Sequence, residues 1–338
     1  MSTVRKVAAL AGVSAKTVSR VVNGDRYVSA DLQERVQKAI VALDYVPHIL
    51  SPSSRSSRDQ VIGAAVPDIG DPFFAAVVSA VETMARGRGA AVLVTSLGED
   101  PTAERVAVEA LMNRPLTGLL IAPTSTHHAY LGLWQPRTEI VFVDRPPAEL
   151  TADSVIEDDF GGATAAVQHL IRRGHRRIAF MGNGNAVVTT ERRLAGYRSA
   201  LTRAGIALDP MLEHIYQETG GKSGVPALQN LLKIPDPPTA LFSSNSRNSA
   251  AIVPVLQAYG GGVAYISFGD FPMADALIPS VTVVDQRPVQ LGQVAVQRLF
   301  DRIDHPGRRY ERQQILPVRL RIRQSSEIRG PDHARRIS

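Results

Sequence analysis

Residues Val7–Asn23, VAALAGVSAKTVSRVVN, narrow the possible folds of this chain more than any other stretch. Val4, Val7 and Ala8 fall at i, i+3 and i+4, one face of a helix. Gly12 follows, where a left-handed helix end costs least. Ser14 is placed to cap a second helix. That helix buries Val18, Val21 and Val22 and turns Ala15, Lys16, Ser19, Arg20 and Asn23 outward. Two short helices across a glycine turn are the sequence form of a helix-turn-helix. Ser29 then reads as the N-cap of a third helix carrying Leu32, Val36, Ile40 and Leu43 at helical spacing, ended by Tyr45-Val46-Pro47. Three helices in residues 1–46 make a small head piece.

The remaining chain is much larger. Its 338 residues fit two or three domains, and an apolar content of 44% is enough to bury real cores. Net charge is only +6, so location matters more than balance: residues 1–60 hold nine Lys/Arg against five acids. With no cysteine, disulfides and thiolate metal sites are excluded and a reducing compartment is the natural one. No signal-like or membrane-length apolar run occurs, so the expectation is a cytoplasmic, soluble protein working at the nucleoid, with no membrane partner.

Residues 47–60 include HILSPSSRSSRDQ, a serine-rich segment that reads as a linker. From Val61 the texture alternates. Apolar runs VIGAAV, AAVLVTS, GLLIAP, IVFVD, RRIAFMG, TALFSS, VAYISF and VTVVD are separated by helix candidates 72–86, 101–113, 160–173, 190–204, 223–232, 246–259 and 288–303. Such alternation predicts parallel sheets flanked by helices, here two doubly wound α/β lobes with a cleft between them. The expected lobes are 61–159 with 288–303, and 160–287 with 304–323. Residues 324–338 lack apolar periodicity and read as a disordered tail.

Polar residues gather where the strands end: Asp68 and Asp71, Asp144-Arg145, Asn183 and Asn185, Asn245-Ser246, and Asp270. Each could be a helix cap. Together they suit a polyhydroxylated ligand, whose hydroxyls both donate and accept.

In order and at family spacing, several landmarks resemble the lactose-repressor (LacI/GalR) family of transcription regulators. They are Thr3-Val4-Arg5-Lys6-Val7-Ala8 through Ser14, Thr17–Asn23, Tyr45-Val46-Pro47, Val66–Phe74, Gly174–Phe180 and Arg193-Leu194-Ala195-Gly196-Tyr197. The resemblance covers almost the whole chain. It implies a three-helix head piece joined to a bilobed, periplasmic-binding-protein-like effector domain, a homodimer on a near-palindromic operator, and a repressor answering to a sugar or sugar derivative. It implies base contacts from Ala15, Lys16 and Arg20, and phosphate contacts from Ser14, Thr17, Ser19 and Asn23. For the effector it points to Phe73, Asp144, Arg193, Asn245 and Asp270. No cofactor, metal or enzymatic step is implied.

Three departures stand out. The usual hinge leucine segment aligns with Ser51, Pro52, Ser53 and Ser54, where serine cannot act as an apolar wedge. The usual Gly-Phe-Asp-Asp reads Ser267-Phe268-Gly269-Asp270, and the usual Asn-Asp pair reads Asn245-Ser246. Losing two acids implies a cleft more tolerant of an anionic ligand. An enzyme is disfavoured: Gly182-Asn183-Gly184 lacks the rest of a nucleotide loop, no nucleophile elbow appears, and His127-His128 has no metal-ligand spacing around it.

Overall fold

The computed structural model describes residues 4–22, 25, 28–43, 60–98, 100–184, 187–216, 224–260 and 262–331. The chain divides into two compact units, Met1–Asp59 and Gln60–Ser338.

The first unit holds helices α1 (Val4–Ala11), α2 (Ala15–Val22) and α3 (Ala30–Ala42). Val7, Ala8, Ala11, Val18, Val36 and Ala39 are its buried core, with Val13, Val21, Ile40 and Leu43 packed against it. Val7, Ala8, Val18, Val21, Val36, Ile40 and Leu43 of the apolar stripe read from the sequence are therefore packed, while the Val4 and Val22 side chains lie outside the described residues. Ser29 does occupy the N-cap of α3, but its side chain makes no capping bond. The α3 helix stops at Ala42, with Leu43 as C-cap. Tyr45–Pro47 and the expected linker through Asp59, including Ser51–Ser54, lie outside the described residues.

The second unit carries two six-stranded sheets. Its elements in order are β1 (Val61–Val66), α4 (Pro72–Gly87), β2 (Ala91–Ser96), α5 (Pro101–Met112), β3 (Gly118–Ile121), β4 (Glu139–Val143) and β5 (Asp153–Glu157). Then follow α6 (Asp159–Arg172), β6 (Ile178–Asn183), α7 (Val188–Arg203), β7 (Glu213–Tyr216), α8 (Val225–Leu231), β8 (Ala240–Ser243), α9 (Ser246–Ala258) and β9 (Ala264–Phe268). The chain ends through β10 (Thr282–Asp285), α10 (Pro288–Asp304), β11 (Gln313–Leu316) and β12 (Arg319–Arg321). Sheet orders are β11-β5-β4-β3-β1-β2 and β12-β10-β9-β8-β6-β7.

Each sheet is covered on both faces, which is why its central strands are apolar almost throughout. In lobe one, Ile62, Ala64, Val66, Leu120, Val141 and Val143 meet α4 and α10, while Ala65, Leu119, Ile121, Ile140 and Phe142 meet α5. Gly292 of α10 lets the two helices touch, since a Cβ there would lie 2.6 Å from the Val77 carbonyl oxygen of α4. In lobe two, Ile178, Phe180, Phe242, Ile266 and Phe268 meet α6 and α7, and Ala179, Met181, Leu241, Tyr265 and Val283 meet α8 and α9.

Two boundaries differ from expectation. Residues 313–316 belong to lobe one, because β11 pairs in parallel with β5. Only two residues then separate β11 from β12, which pairs antiparallel with β10 in lobe two. The stretch 304–323 is thus shared between the lobes. The expected disordered tail is also corrected as far as Pro331: Ser325, Ser326 and Gly330 are buried. The Ser325 hydroxyl donates to the Tyr265 carbonyl at 2.6 Å, the Thr282 amide donates to Ser325 Oγ at 2.8 Å, and the Gly330 amide donates to the Arg173 carbonyl at 2.9 Å. Hydrogen bonds hold this segment where apolar periodicity could not announce it. Residues 332–338 lie outside the described residues.

Candidate DNA-reading helix and effector cleft

In the head piece the turn is built as read. Gly12 sits at φ +64°. Arg35 of α3 donates through Nη2 to the Ala11 carbonyl at 2.7 Å, setting a cation at the C-terminal end of α1. Ser14 Oγ accepts from the Thr17 amide at 3.0 Å, the N-cap bond expected of it. Val18 is buried, so Ala15, Lys16 and Arg20 are left exposed on the opposite face. Arg20 Nε donates to Asp25 Oδ2 at 2.8 Å, an exposed pair of the kind that solvent and salt weaken. The Ser19 side chain and Asn23 lie outside the described residues.

In the second unit, the five effector candidates follow strand ends or line helices there. Phe73 is half-buried on the first turn of α4, edge-on to Phe74 at 5.0 Å, and packs on the lobe-one core. Asp144 is buried with its backbone at φ +66° and lies 3.2 Å from Arg145 Nε. Arg145 also donates to the Pro123 carbonyl at 2.6 Å. Arg193 is buried on α7 and fully engaged: Nε donates to Asp159 Oδ1 at 2.7 Å, Nη1 to the Ser244 carbonyl at 2.6 Å, and the guanidinium stacks 3.8 Å over Phe268. Asn245 caps α9, its side chain accepting from the Asn248 amide at 2.7 Å. Asp270 is taken up by Arg323, whose Nη2 donates to Oδ2 at 2.6 Å and Nη1 to Oδ1 at 3.1 Å. The Asn183 side chain and Asn185 lie outside the described residues.

Arg193, Phe268 and the Ser244 carbonyl therefore come together, whereas Asn245 caps a helix and Asp270 is paired with an arginine from beyond β12. The pairing of Asp270 has a simple cause. The chain leaves β12 beside Thr282, where the Arg323 amide donates to Thr282 Oγ1 at 2.8 Å and points the side chain at that loop.

Sequence reasoning missed a second group. Asp159, Glu157, Gln286 and Ser244 surround Arg193 and the crossovers between lobes. Gln286 Nε2, just past β10, donates to Glu157 Oε2, at the end of β5, at 2.7 Å. Burial pushes the Glu157 carboxyl well above the usual range, and the nearby charges of Asp144 and Asp159 push it the same way. Burial likewise raises Asp159 to about 6, against the pull of Arg193. Among the described residues Glu157 Oε1, Asp159 Oδ2 and Ser244 Oγ are buried without a hydrogen-bond partner. Buried polar atoms without partners are costly. Their sequence signal was the acidic end of SVIEDD, hidden because the strand itself went unrecognised.

His128 has a structural role. Its Nε2 donates to the Ser125 carbonyl and its Nδ1 accepts from the Ala148 amide, both at 2.9 Å; burial lowers its pKa, in keeping with the neutral ring those bonds require. Among the described residues no group of three acidic or histidine side chains could hold a metal ion, and no helix is long and apolar enough to cross a membrane.

Comparison with known proteins converges on one family. Residues 3–48 match the model of bacterial regulatory proteins of the lacI family, and residues 167–326 match a periplasmic binding protein-like domain. The chain is 31% identical to the ribose operon repressor of Escherichia coli (strain K12) over 327 residues, covering 94% of this chain and 98% of that one. Among solved structures it is similar to a transcriptional regulator CelR–cellobiose complex, with 30% identity, a TM-score of 0.69, and coverage of 96% and 100% of the two chains. It is similar also to the lac repressor dimer bound to operator and an anti-inducer, with 26% identity, a TM-score of 0.75, and coverage of 96% and 99%. The chain belongs to the lacI family of bacterial regulatory proteins: it is a DNA-binding transcriptional repressor, with a helix-turn-helix head piece and a bilobed domain that takes a small-molecule effector.

Proposed function

We propose that the protein is a homodimeric repressor of a near-palindromic operator, released or engaged by a free sugar of the ribose type bound between its lobes. It acts as a regulator and not as an enzyme. The observation that carries the effector reading is the set of buried, unpartnered oxygens at the crossovers, Glu157 Oε1, Asp159 Oδ2 and Ser244 Oγ. A sugar's hydroxyls, which both donate and accept, supply the partners these atoms lack. The name of the ribose operon repressor relative supports the same class.

Charge argues against a phosphorylated ligand. Asp68, Asp71, Asp144 and Asp159 offset Arg145, Arg192, Arg193 and Arg247 around the strand ends, and Arg193 is already bonded to Asp159 and Ser244. The tolerance for anions read from the two missing acids is thus offset by acids that sequence reasoning had not placed there. Titrating the purified full chain with ribose and with ribose 5-phosphate, followed by calorimetry, tests this: ribose binds and the phosphate does not. Binding of the phosphate alone overturns it.

Exposed apolar side chains on both lobes support a homodimer: Leu93 and Val94 on the edge strand β2, and Tyr259, Met273 and Ile278 around the end of α9. The lac repressor structure is named as a dimer on its operator. On DNA, Lys16 and Arg20 read base edges while Ser14, Thr17, Ser19 and Asn23 fix register on phosphates. Arg20 must exchange Asp25 for a base. Arg20→Ala is therefore expected to weaken operator binding by about 1–3 kcal/mol while leaving random DNA nearly unaffected, in salt-controlled gel shifts. Equal losses on both DNAs would make Arg20 a phosphate contact.

A further inference from the structure

Gln286 and Glu157 tie the lobes together at one edge of the sheets, where the chain crosses between them. A second tie lies elsewhere. Arg247, two residues into α9 of lobe two, places Nη1 3.5 Å from Oδ2 of Asp68, which follows β1 of lobe one. The sheet orders set β1 three strands from β5 and β8 two strands from β10, so this contact stands roughly 10–15 Å from the crossover edge, toward the open side of the cleft. Both partners are held ready. The Gly70 amide donates to Asp68 Oδ1 at 2.8 Å, fixing the carboxylate. Arg247 projects from the first turn of a helix capped by Asn245. Its charge also reaches Asp71, the N-cap of α4, so a second carboxylate stands beside the first. Both Arg247 and Asp68 are half-exposed, unlike the buried Glu157–Gln286 contact.

We propose that Arg247 and Asp68 form an ionic latch across the mouth of the cleft, which biases the lobes toward closure and must open for the effector to enter or leave. The buried contact at the crossovers acts as the hinge. The exposed pair acts as the adjustable closure, sensitive to ionic strength where the hinge is not.

The absence of cysteine allows the test to be made on the full chain. Spin labels at Ala103→Cys on α5 and Gln229→Cys on α8 report the distance between lobes by pulsed electron resonance, with no ligand present. Both positions are exposed. The latch predicts a longer, broader distance distribution in Arg247→Ala, with the open-to-closed ratio raised about two- to fivefold. Raising salt from low ionic strength should open the wild-type chain in the same direction and leave Arg247→Ala unmoved. Asp68→Asn should behave as Arg247→Ala, and Arg247→Lys should keep part of the closure. Identical distributions in wild type and Arg247→Ala, or equal salt responses in both, overturn the latch. Because the proposal also rests on effector binding in this cleft, a second arm measures ribose dissociation, which the latch predicts to be several-fold faster in Arg247→Ala. If ribose fails to bind at all, the effector reading fails while the distance arm still decides the latch.

Discussion

The two lobes carry the same five strands in the same order and differ in the sixth. In lobe one β11 runs parallel to its neighbour; in lobe two β12 runs antiparallel. The cause is the two-residue link between them. A strand that climbs to the cleft with β11 has no chain left for a crossover, so β12 must descend. The consequence is asymmetric. The end of the described chain arrives at the far side of lobe two and is stapled there through Ser325, Ser326 and Gly330, with no counterpart in lobe one among the described residues. Lobe one is instead fastened by charge at β5, next to its β11 edge. Asp153 is buried and accepts from Arg302 through Nε and Nη2, both at 2.8 Å, from Arg312 at 3.0 Å and from Arg298 at 3.2 Å. The lobes thus solve one problem, fastening the chain's return segments, with ions in one case and hydroxyls in the other.

The sharpest way to break that contrast is Asp153→Ala. Burial alone would raise this carboxyl, but the bonds from Arg302, Arg298 and Arg312 hold it below the usual carboxylate range. Removing it strands three guanidiniums, two of them mostly buried, and arginine cannot shed its proton to escape. Unfolding in denaturant should show a loss of about 3–5 kcal/mol. A loss below about 1 kcal/mol would mean the cluster is a solvated surface network and the contrast is false.

Lobe two has its own buried ion pair, Arg193–Asp159, and it should respond differently because the acid can neutralise itself. Asp159 stands at about 6 in the folded protein, with burial as the main cause, against roughly 3.9 when unfolded. Between these values the folded chain binds more protons than the unfolded chain. This group therefore favours folding at pH 4 and gives that advantage up as pH rises through about 6. Comparing Asp159→Asn with wild type at pH 4.5 and pH 7.5 should isolate a difference of about 2 kcal/mol, with wild type losing more on the alkaline side. Parallel pH profiles would show that Arg193 fully compensates the burial.

These contrasts also show what could be read from the chain. The helix-turn-helix was legible because its signals are local: Gly12 for the turn, Ser14 for the cap and Val18 for the buried face all act within a few residues. The seven helices of the second unit fall within two residues of expectation for the same reason, with apolar stripes and, at several starts, a capping side chain such as Asp71, Asp100 or Asn245. The strands missed were β5, β7, β11 and β12. β5 reads DSVIE, with both charged residues buried, and the groups that satisfy them, Arg302 and Gln286, reach it from more than a hundred positions away. β7 and β12 are sheet edges, where half-exposed strands need no continuous apolar run. At the site, Arg193 was legible as a landmark, but its partner Asp159 lay in the unread segment. Asp270 was expected to face a ligand, and no local feature could reveal that Arg323 would claim it.

The smallest expected effect bears on the strap of lobe two. Ser326 Oγ lies 2.7 Å from Thr282 Oγ1 and 3.0 Å from His169 Nε2, all of them buried. Burial lowers the pKa of His169, so its ring is neutral at ordinary pH and the serine completes a chain of hydroxyl and imidazole bonds. Ser326→Ala removes one member and leaves His169 Nε2 short of its partner, at a cost of about 1 kcal/mol. Hydrogen exchange locates the effect better than global melting. The amides bonded across the strap, Ser325 to the Ser280 carbonyl and Gly330 to the Arg173 carbonyl, should exchange several-fold faster, whereas those of β11 with β5 should be unchanged. Equal acceleration in both places would mean that the two return strands, despite opposite directions and different fastenings, open as one unit.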